Sequence, residues 1–167
     1  MTAATIEIND YEILAALTQL ARNVDHLEPA LDKIGAAVKA SSMLNFREQH
    51  DPDGEAWEPL SPVTLEQRRD PNRNSTGRNN PKPTKTGAQI LRDTGLLNRS
   101  ISYETGAFAV EIGSDKVYAN MMQFGGKKSD YPWLWGDIPE RPFVGVSEAD
   151  RGDILAILGH HLELSSR

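Results

Sequence analysis

The chain has 167 residues, a formal charge of −6 at pH 7, 38% hydrophobic residues and 25% charged residues, which is typical of a globular protein with enough apolar side chains for a core. It contains no cysteine, so disulfides, thiol nucleophiles and cysteine-ligated metal sites are excluded. No window has the roughly 18 apolar residues that span a membrane, and the start of the chain lacks the basic and apolar regions of a signal peptide, so we expect cytoplasmic synthesis without a membrane address.

The N-terminal part of the chain predicts a short strand and two helices. Residues 5–9 alternate between polar and apolar side chains, as in a half-buried strand. After a capping residue at position 9 or 10, the apolar side chains from Ile13 to Val24 recur at helical spacing and form one stripe. A second helix is predicted over about residues 28–48, because a proline in its first turn precedes another apolar face.

Three prolines interrupt regular structure between residues 51 and 62. We expect Trp57 and Leu60 to hold this irregular segment to the core. A short helix capped by Ser61 or Thr64 is predicted to follow it.

A polar arm is predicted at about residues 68–87, where no Ala, Val, Ile, Leu, Met or aromatic residue occurs. Such a stretch cannot repay its ordering entropy in an isolated monomer, so we expect it to be mobile. Residues 66–92 carry a net charge of +5, whereas residues 1–35 carry −4. A basic arm on an acidic body can dock head-to-tail on copies of the chain, can contact DNA, or can be a solvated loop.

The second half of the chain predicts a hairpin, one irregular loop, a further strand and three helical segments. Phe108, Val110 and Ile112 alternate on a half-buried strand. The expected elements in order are a turn and short helix within 90–101, a hairpin of 100–104 and 107–113, a short helix over 118–124, an irregular loop over 127–137, a strand over 141–146, and a last helix opened by a capping box at Ser147–Asp150 with Ile154, Leu155, Leu158 and Leu162 on its apolar face.

Together these elements predict one α+β domain over residues 1–167. A small, mainly antiparallel sheet is flanked by N-terminal helices and a C-terminal helix, with two long loops.

Sites for catalysis or metal binding find little support in the sequence. Asp51–Gly54 begins like a calcium loop, but its twelfth position would be Leu60 instead of a bidentate glutamate, which favours an Asx-type turn. His160 and His161 are adjacent on a helix and cannot share a face, so a solvated C-terminal turn is the better interpretation. No nucleophile elbow, phosphate loop or aromatic-interleaved basic patch is present. A non-enzymatic assembly or binding protein is therefore favoured, with no metal and no cofactor.

A series of short motifs, in this order and spacing, resembles the phage virion morphogenesis, or tail completion, family over about residues 5–162. The motifs are Phe46, Pro52-Asp53-Gly54 with Trp57, Leu60-Ser61-Pro62 with Thr64, Ile90-Leu91 with Thr94-Gly95, Leu97 and Ser100-Ile101, Ile112-Gly113, Tyr118-Ala119 with Gln123-Phe124-Gly125-Gly126, and Ile138-Pro139 with Arg141-Pro142-Phe143 and Gly145. Two departures are Asn120-Met121-Met122, where a histidine is expected, and the polar insertion at 70–87.

This resemblance implies a structural protein of the virion neck that joins the head to the tail as a ring subunit around the DNA channel, made in the host cytoplasm. The implied partners are copies of the chain, with a hexamer preferred over a dodecamer, a head-side connector or adaptor, and tail terminator or tail tube proteins. The resemblance also implies non-specific contact with channel DNA, and it implies no contact with a membrane. The alternative is a DNA-binding module that uses the basic 68–87 arm.

Ten residues are predicted to contact partners or neighbouring subunits. They are Arg68, Arg69, Arg73, Arg78, Lys82 and Lys85 in the arm, Tyr131, Trp133 and Trp135 in the second loop, and Arg141 at the start of the predicted last strand. For the aromatic residues the reason is that so many large apolar groups in one loop seldom all fit a small core. Arg141 is expected either to bridge a carboxylate or to face a neighbour.

Overall fold

A computed structural model describes residues 11–69, 89–134 and 136–164. It confirms the α+β class, with helices packed on a two-stranded antiparallel sheet. The elements in chain order are α1 (Tyr11–Asp25), α2 (Glu28–Glu48), α3 (Pro62–Arg69), α4 (Leu96–Arg99), β1 (Ile101–Thr105), β2 (Val110–Ser114), α5 (Ala119–Phe124) and α6 (Glu148–Leu164). The strand predicted at 5–9 and most of the predicted arm lie outside the described residues.

Strands β1 and β2 form the predicted hairpin, in a register that pairs Ile101 with Ser114 and Thr105 with Val110. The backbone N–H of Gly106 donates to the carbonyl of Ala109 at 2.8 Å, which closes the turn. The prediction that Phe108 belongs to the half-buried strand face is wrong, because it falls in this turn and its side chain is 71% exposed.

Helix α2 lies at the centre of the fold and packs against both the hairpin and α6. Its buried side chains Leu31, Ile34 and Val38 form one apolar cluster with partly buried side chains from β2 and α6. Gly35 is required on this helix because a side chain there would collide with the Tyr103 ring.

A second apolar cluster surrounds Phe46 at the C-terminal end of α2. The Phe46 ring meets Trp57 edge-on at 5.7 Å between centroids and Phe143 at 5.2 Å. Trp57 is 4% exposed and its indole N–H donates to the carbonyl of Pro142 at 2.8 Å. The predicted role of Trp57 in holding the proline-rich segment to the core is therefore confirmed.

The strand predicted over 141–146 is wrong, since this segment pairs with no strand in the described part of the chain. Its backbone groups are satisfied instead by side chains and by α5. The Gln123 amide oxygen accepts from Phe143 N and Val144 N, at 3.0 and 3.2 Å, and the Gln123 amide donates to Val144 O at 2.8 Å. The carbonyl of Phe143 accepts from the Ser42 hydroxyl at 2.7 Å. Side-chain partners replace a ladder because they satisfy the same donors and acceptors.

Both predicted helix caps after residue 60 are present. The Ser61 hydroxyl accepts from the N–H of Thr64 at 3.2 Å, so Ser61 caps α3. The Ser147 hydroxyl accepts from Asp150 N at 3.0 Å while the Asp150 carboxylate accepts from Ser147 N at 2.9 Å. This is a capping box with aspartate in the usual glutamate position.

Helix α1 forms as predicted, but its apolar stripe is not buried. Leu14, Leu17 and Val24 are 54%, 55% and 48% exposed. Among the described helices, none is long and apolar enough to cross a membrane.

Candidate assembly surface

Two segments that could have held a metal ion, Asp51–Gly54 and the His160/His161 pair, are described first. Asp51 Oδ1 accepts from the N–H groups of Asp53 and Glu55, each at 2.9 Å, which confirms the Asx-type turn. Within the described ranges no three histidine, aspartate or glutamate side chains lie close enough together to hold a metal ion. His160 is exposed, whereas His161 is half-buried and so does not fit the predicted solvated turn.

The predicted second loop is closed at its base by backbone pairing. We call residues 126–138 the aromatic loop. Gly126 N donates to Ile138 O at 2.9 Å and Ile138 N donates to Gly126 O at 2.8 Å. Further into the loop, the N–H of Lys128 donates to Asp137 Oδ1 at 2.7 Å. Two chain segments are thereby fixed side by side where the loop leaves the body of the protein.

Gly125 is needed for the chain to enter the aromatic loop. Its φ of 69° with ψ of −174° belongs to a region that is essentially restricted to glycine. A Cβ at this position would lie 2.7 Å from the carbonyl oxygen of Ile138 and 2.8 Å from the nitrogen of Glu140. The direction in which the loop leaves α5 therefore depends on this residue.

Inside the aromatic loop, two short backbone turns bring large side chains together. The N–H of Tyr131 donates to Lys127 O, and the N–H of Leu134 donates to Tyr131 O, both at 3.0 Å. The rings of Tyr131 and Trp133 meet edge-on at 5.4 Å between centroids. Tyr131 is 37% exposed and Trp133 is 74% exposed. Trp133 is thus held in place by its neighbour and still presents most of its surface outward.

Phe124, at the base of the aromatic loop, is a further exposed aromatic side chain. It ends α5, is 73% exposed, and borders a shallow recess of about 440 Å³ that also contains Lys127 and Glu58. A contact role for Phe124 was not predicted, because its place in a short helical pattern resembles a core position. We call Tyr131 and Trp133 the aromatic patch. Tryptophan and tyrosine are the residue types that contribute most often to protein contacts.

The other predicted contact residues are only partly covered by the structure. Trp135 lies outside the described residues, as do Arg73, Arg78, Lys82 and Lys85. The backbone of Arg68 and Arg69 belongs to the last turn of α3. Contacts of these residues with partners remain predictions.

Arg141 has an internal role. Its side chain is buried, with Nε donating to Glu58 O at 2.9 Å and Nη2 donating to Pro59 O at 3.2 Å. The guanidinium therefore ties the proline-rich segment to the segment that precedes α6. These hydrogen bonds explain the burial of Arg141 without a neighbouring subunit, and a partner contact of this side chain remains untested.

The pKa of one histidine, His50, is raised by its surroundings. His50 Nδ1 lies 2.6 Å from the carbonyl oxygen of Asp51, and Nε2 lies 3.1 Å from Glu48 Oε2. The hydrogen bond to the Asp51 carbonyl raises the pKa of His50 above 6.5, and the Glu48 carboxylate adds to this rise. The pKa of Glu48 is lowered, first by its hydrogen bond from Arg47 and then by that from His50.

The chain is similar to known phage and prophage proteins over most of its length. The model of the phage virion morphogenesis family matches residues 8–163. "Putative capsid assembly protein G" of Escherichia phage Mu is 30% identical over 149 residues, which cover 81% of this chain and 87% of that protein. "Mu-like prophage FluMu G protein 2" of Haemophilus influenzae is 28% identical over 160 residues, which cover 95% of this chain and 96% of that protein. No solved structure matches the chain.

Proposed function

Because the chain belongs to the phage virion morphogenesis family, we propose that this virion morphogenesis protein acts in the neck, where a ring of its copies surrounds the DNA channel and joins the head to the tail. The family consists of phage structural and assembly proteins, and the resemblance to the Mu protein extends over most of both chains. The finer assignment to a neck ring is supported by the arrangement of exposed apolar side chains.

The observation that carries the proposal is the aromatic patch on its closed loop. Trp133 is 74% exposed although its loop is fixed by backbone pairing at the base and by the Tyr131 ring. Holding a large side chain in one place before binding reduces the entropy lost on association. A patch of this kind fits a protein that docks on another virion component, since an exposed apolar surface is a cost without a partner.

A complementation experiment tests the proposal. A phage that lacks this protein should accumulate DNA-filled heads and complete tails that remain separate. Addition of the purified protein to an extract containing both should restore joined particles, seen by negative-stain electron microscopy. Empty or malformed heads in the absence of the protein would instead indicate a step in capsid assembly, which is the role that the name of the Mu relative suggests.

The charged arm supports a second contact within the same proposal. Residues 66–92 carry +5 and residues 1–35 carry −4, so arms of one copy would be attracted to the acidic part of the next. Several exposed ion pairs at about 0.2–1 kcal/mol each would give a contact that salt weakens. Changing Arg68, Arg69 and Arg73 together to glutamate should lower assembly into particles while the circular dichroism spectrum stays unchanged. The triple alanine variant should be milder, because it adds no repulsion.

The DNA-binding alternative makes a different prediction for the same variants. If the arm binds DNA, the isolated wild-type protein should bind random duplex DNA with an affinity that falls steeply with salt. Both triple variants should then lose this binding, and particle assembly should follow the DNA affinity. Lowered assembly of the triple glutamate variant, with no DNA binding by the wild-type protein, would favour the subunit contact. Normal assembly of that variant would show that the charge of the arm is only a solvated surface.

A further inference from the structure

Two residues in the described part of the chain have a left-handed backbone conformation although neither is glycine. Gln49 has a φ of 63° and Leu91 a φ of 57°. A side chain makes this conformation costly, so it persists only where the surrounding structure holds it. The two residues are linked, because Gln49 Oε1 accepts from the N–H of Ile90 at 2.8 Å, directly before Leu91.

Ile90 and Leu91 are the middle residues of a turn over residues 89–92. We call this turn the arm root, because the predicted polar arm ends just before it. Its own closing hydrogen bond, from the N–H of Arg92 to the carbonyl of Gln89, is long at 3.4 Å. A positive φ at the third position of a turn favours glycine or asparagine, but leucine occupies it here. The arm root therefore depends on contacts outside the turn.

Two kinds of contact outside the turn hold the arm root. Ile90 and Leu91 are half-buried and pack against the apolar cluster around Phe46. Such packing is non-directional and stabilises the segment without fixing its orientation. The hydrogen bond from Ile90 to Gln49 is short and directional, so it fixes the orientation.

Gln49 is itself held firmly at the end of α2, where it is the C-cap. Its N–H donates to the carbonyl of Asn45 at 2.7 Å, and its carbonyl accepts from the N–H of Trp57 at 3.0 Å. Both backbone groups of Gln49 are thus used, and its left-handed backbone brings the side chain to Ile90. The end of α2 therefore determines where the chain re-enters the body of the protein after the arm.

The chain before the arm is attached to the same part of the protein. Arg141 donates to the carbonyls of Glu58 and Pro59. Leu60, the next residue, lines a recess of about 270 Å³ together with Leu91 of the arm root. The segment that contains the arm is therefore held on both sides at one recess.

We propose that Gln49 is a positioning residue for the polar arm. Its hydrogen bond to Ile90 holds the arm root, so that the arm loses less conformational freedom when it binds the next copy. This inference rests on the arm contact of the proposed function. It adds that a residue of the α2 C-cap, outside the arm, sets the strength of that contact.

Gln49→Asn tests the proposal, because asparagine tolerates the left-handed conformation but is one methylene too short to keep the bond to Ile90. The melting temperature should stay within about 4 °C of wild type, the effect of one hydrogen bond. Deuterium exchange of the Ile90 amide should become severalfold faster, and the yield of joined particles should fall severalfold. Gln49→Glu keeps the length and the acceptor oxygen, so it should keep both values near wild type.

A double-mutant cycle separates positioning of the arm from a general effect on the fold. In a protein with alanine at Arg68, Arg69 and Arg73, Gln49→Asn should lower the particle yield by a smaller factor than in wild type, because the contact is already weakened. Equal factors in both backgrounds would overturn the inference, as would unchanged exchange of the Ile90 amide.

The same particle yields distinguish failure of this inference from failure of the proposed arm contact. A lowered yield from the triple glutamate variant with a normal yield from Gln49→Asn would overturn the positioning role and leave the arm contact standing. A normal yield from the triple glutamate variant would overturn the arm contact itself.

Discussion

The hydroxyl of Ser41 on α2 donates a 3.1 Å hydrogen bond to Asp150 Oδ2, the oxygen that also caps α6 through Ser147. The two residues are 109 positions apart in sequence. One buried carboxylate therefore both begins α6 and fixes that end of the helix against α2.

Asp150→Ala should lower the free energy of unfolding by about 1–3 kcal/mol, because it removes a helix cap and leaves the Ser147 and Ser41 donors without their acceptor. Urea denaturation followed by circular dichroism measures the change. Asp153→Ala, one turn further along α6 and exposed, is the matched control and should stay within about 0.5 kcal/mol of wild type. Equal losses in both variants would contradict the role of the capping box.

Gly125→Ala should destabilise the protein by about 1–3 kcal/mol, since alanine cannot adopt the backbone conformation of Gly125 without strain and its Cβ would collide with Ile138 O. Limited proteolysis should cut the aromatic loop faster in this variant. Gly136→Ala serves as the control, because a Cβ there meets no atom within 4 Å. A Gly125→Ala protein as stable and as resistant as Gly136→Ala would refute the proposed constraint on the loop.

Trp133→Ala should change the free energy of unfolding by no more than about 0.5 kcal/mol, because most of its side chain is already in solvent. The yield of joined particles should nevertheless fall severalfold if the aromatic patch docks on a virion component. Val117→Ala, at a position that is 99% exposed, should affect neither quantity. A normal particle yield from Trp133→Ala, or a loss of yield explained by unfolding, would contradict the assignment of this patch.

The protonation of His50 should stabilise the native protein on the acidic side of neutrality. Its pKa is raised in the folded state, so its contribution is fully present below its unfolded pKa of about 6.5 and is lost as the pH rises through the higher folded value. The stability difference between wild type and His50→Gln should therefore shrink from pH 6 to pH 8. Chemical denaturation of both proteins across this range measures it, and an NMR titration of His50 gives the folded pKa. A difference that does not vary with pH would argue against a charged His50.

Local patterns were sufficient to predict most of the helices and the hairpin. The helical spacing of the apolar residues predicted α1 and α2, and the capping box of Ser147 and Asp150 predicted the start of α6. The segment 141–146 resembled a strand because its residues are apolar and bounded by a proline. Its true partners, Ser42 and Gln123, are side chains on distant helices, and no local pattern encodes them.

The exposed apolar side chains could be predicted only in part. Tyr131 and Trp133 could be assigned to an exposed patch because a loop rich in aromatics exceeds what a small core holds. Phe124 was missed, since helical spacing alone does not tell whether a face is covered. The same reason applies to α1, whose stripe predicted a helix correctly but did not tell that the described part of the chain leaves Leu14 and Leu17 exposed.

Cryo-electron microscopy of the neck in intact particles shows whether copies of this protein form a ring there. We expect a closed ring of this chain between head and tail, with the aromatic patch against a neighbouring component. A neck that contains no copy of this protein, or contains it only as isolated subunits, would refute the proposed neck ring.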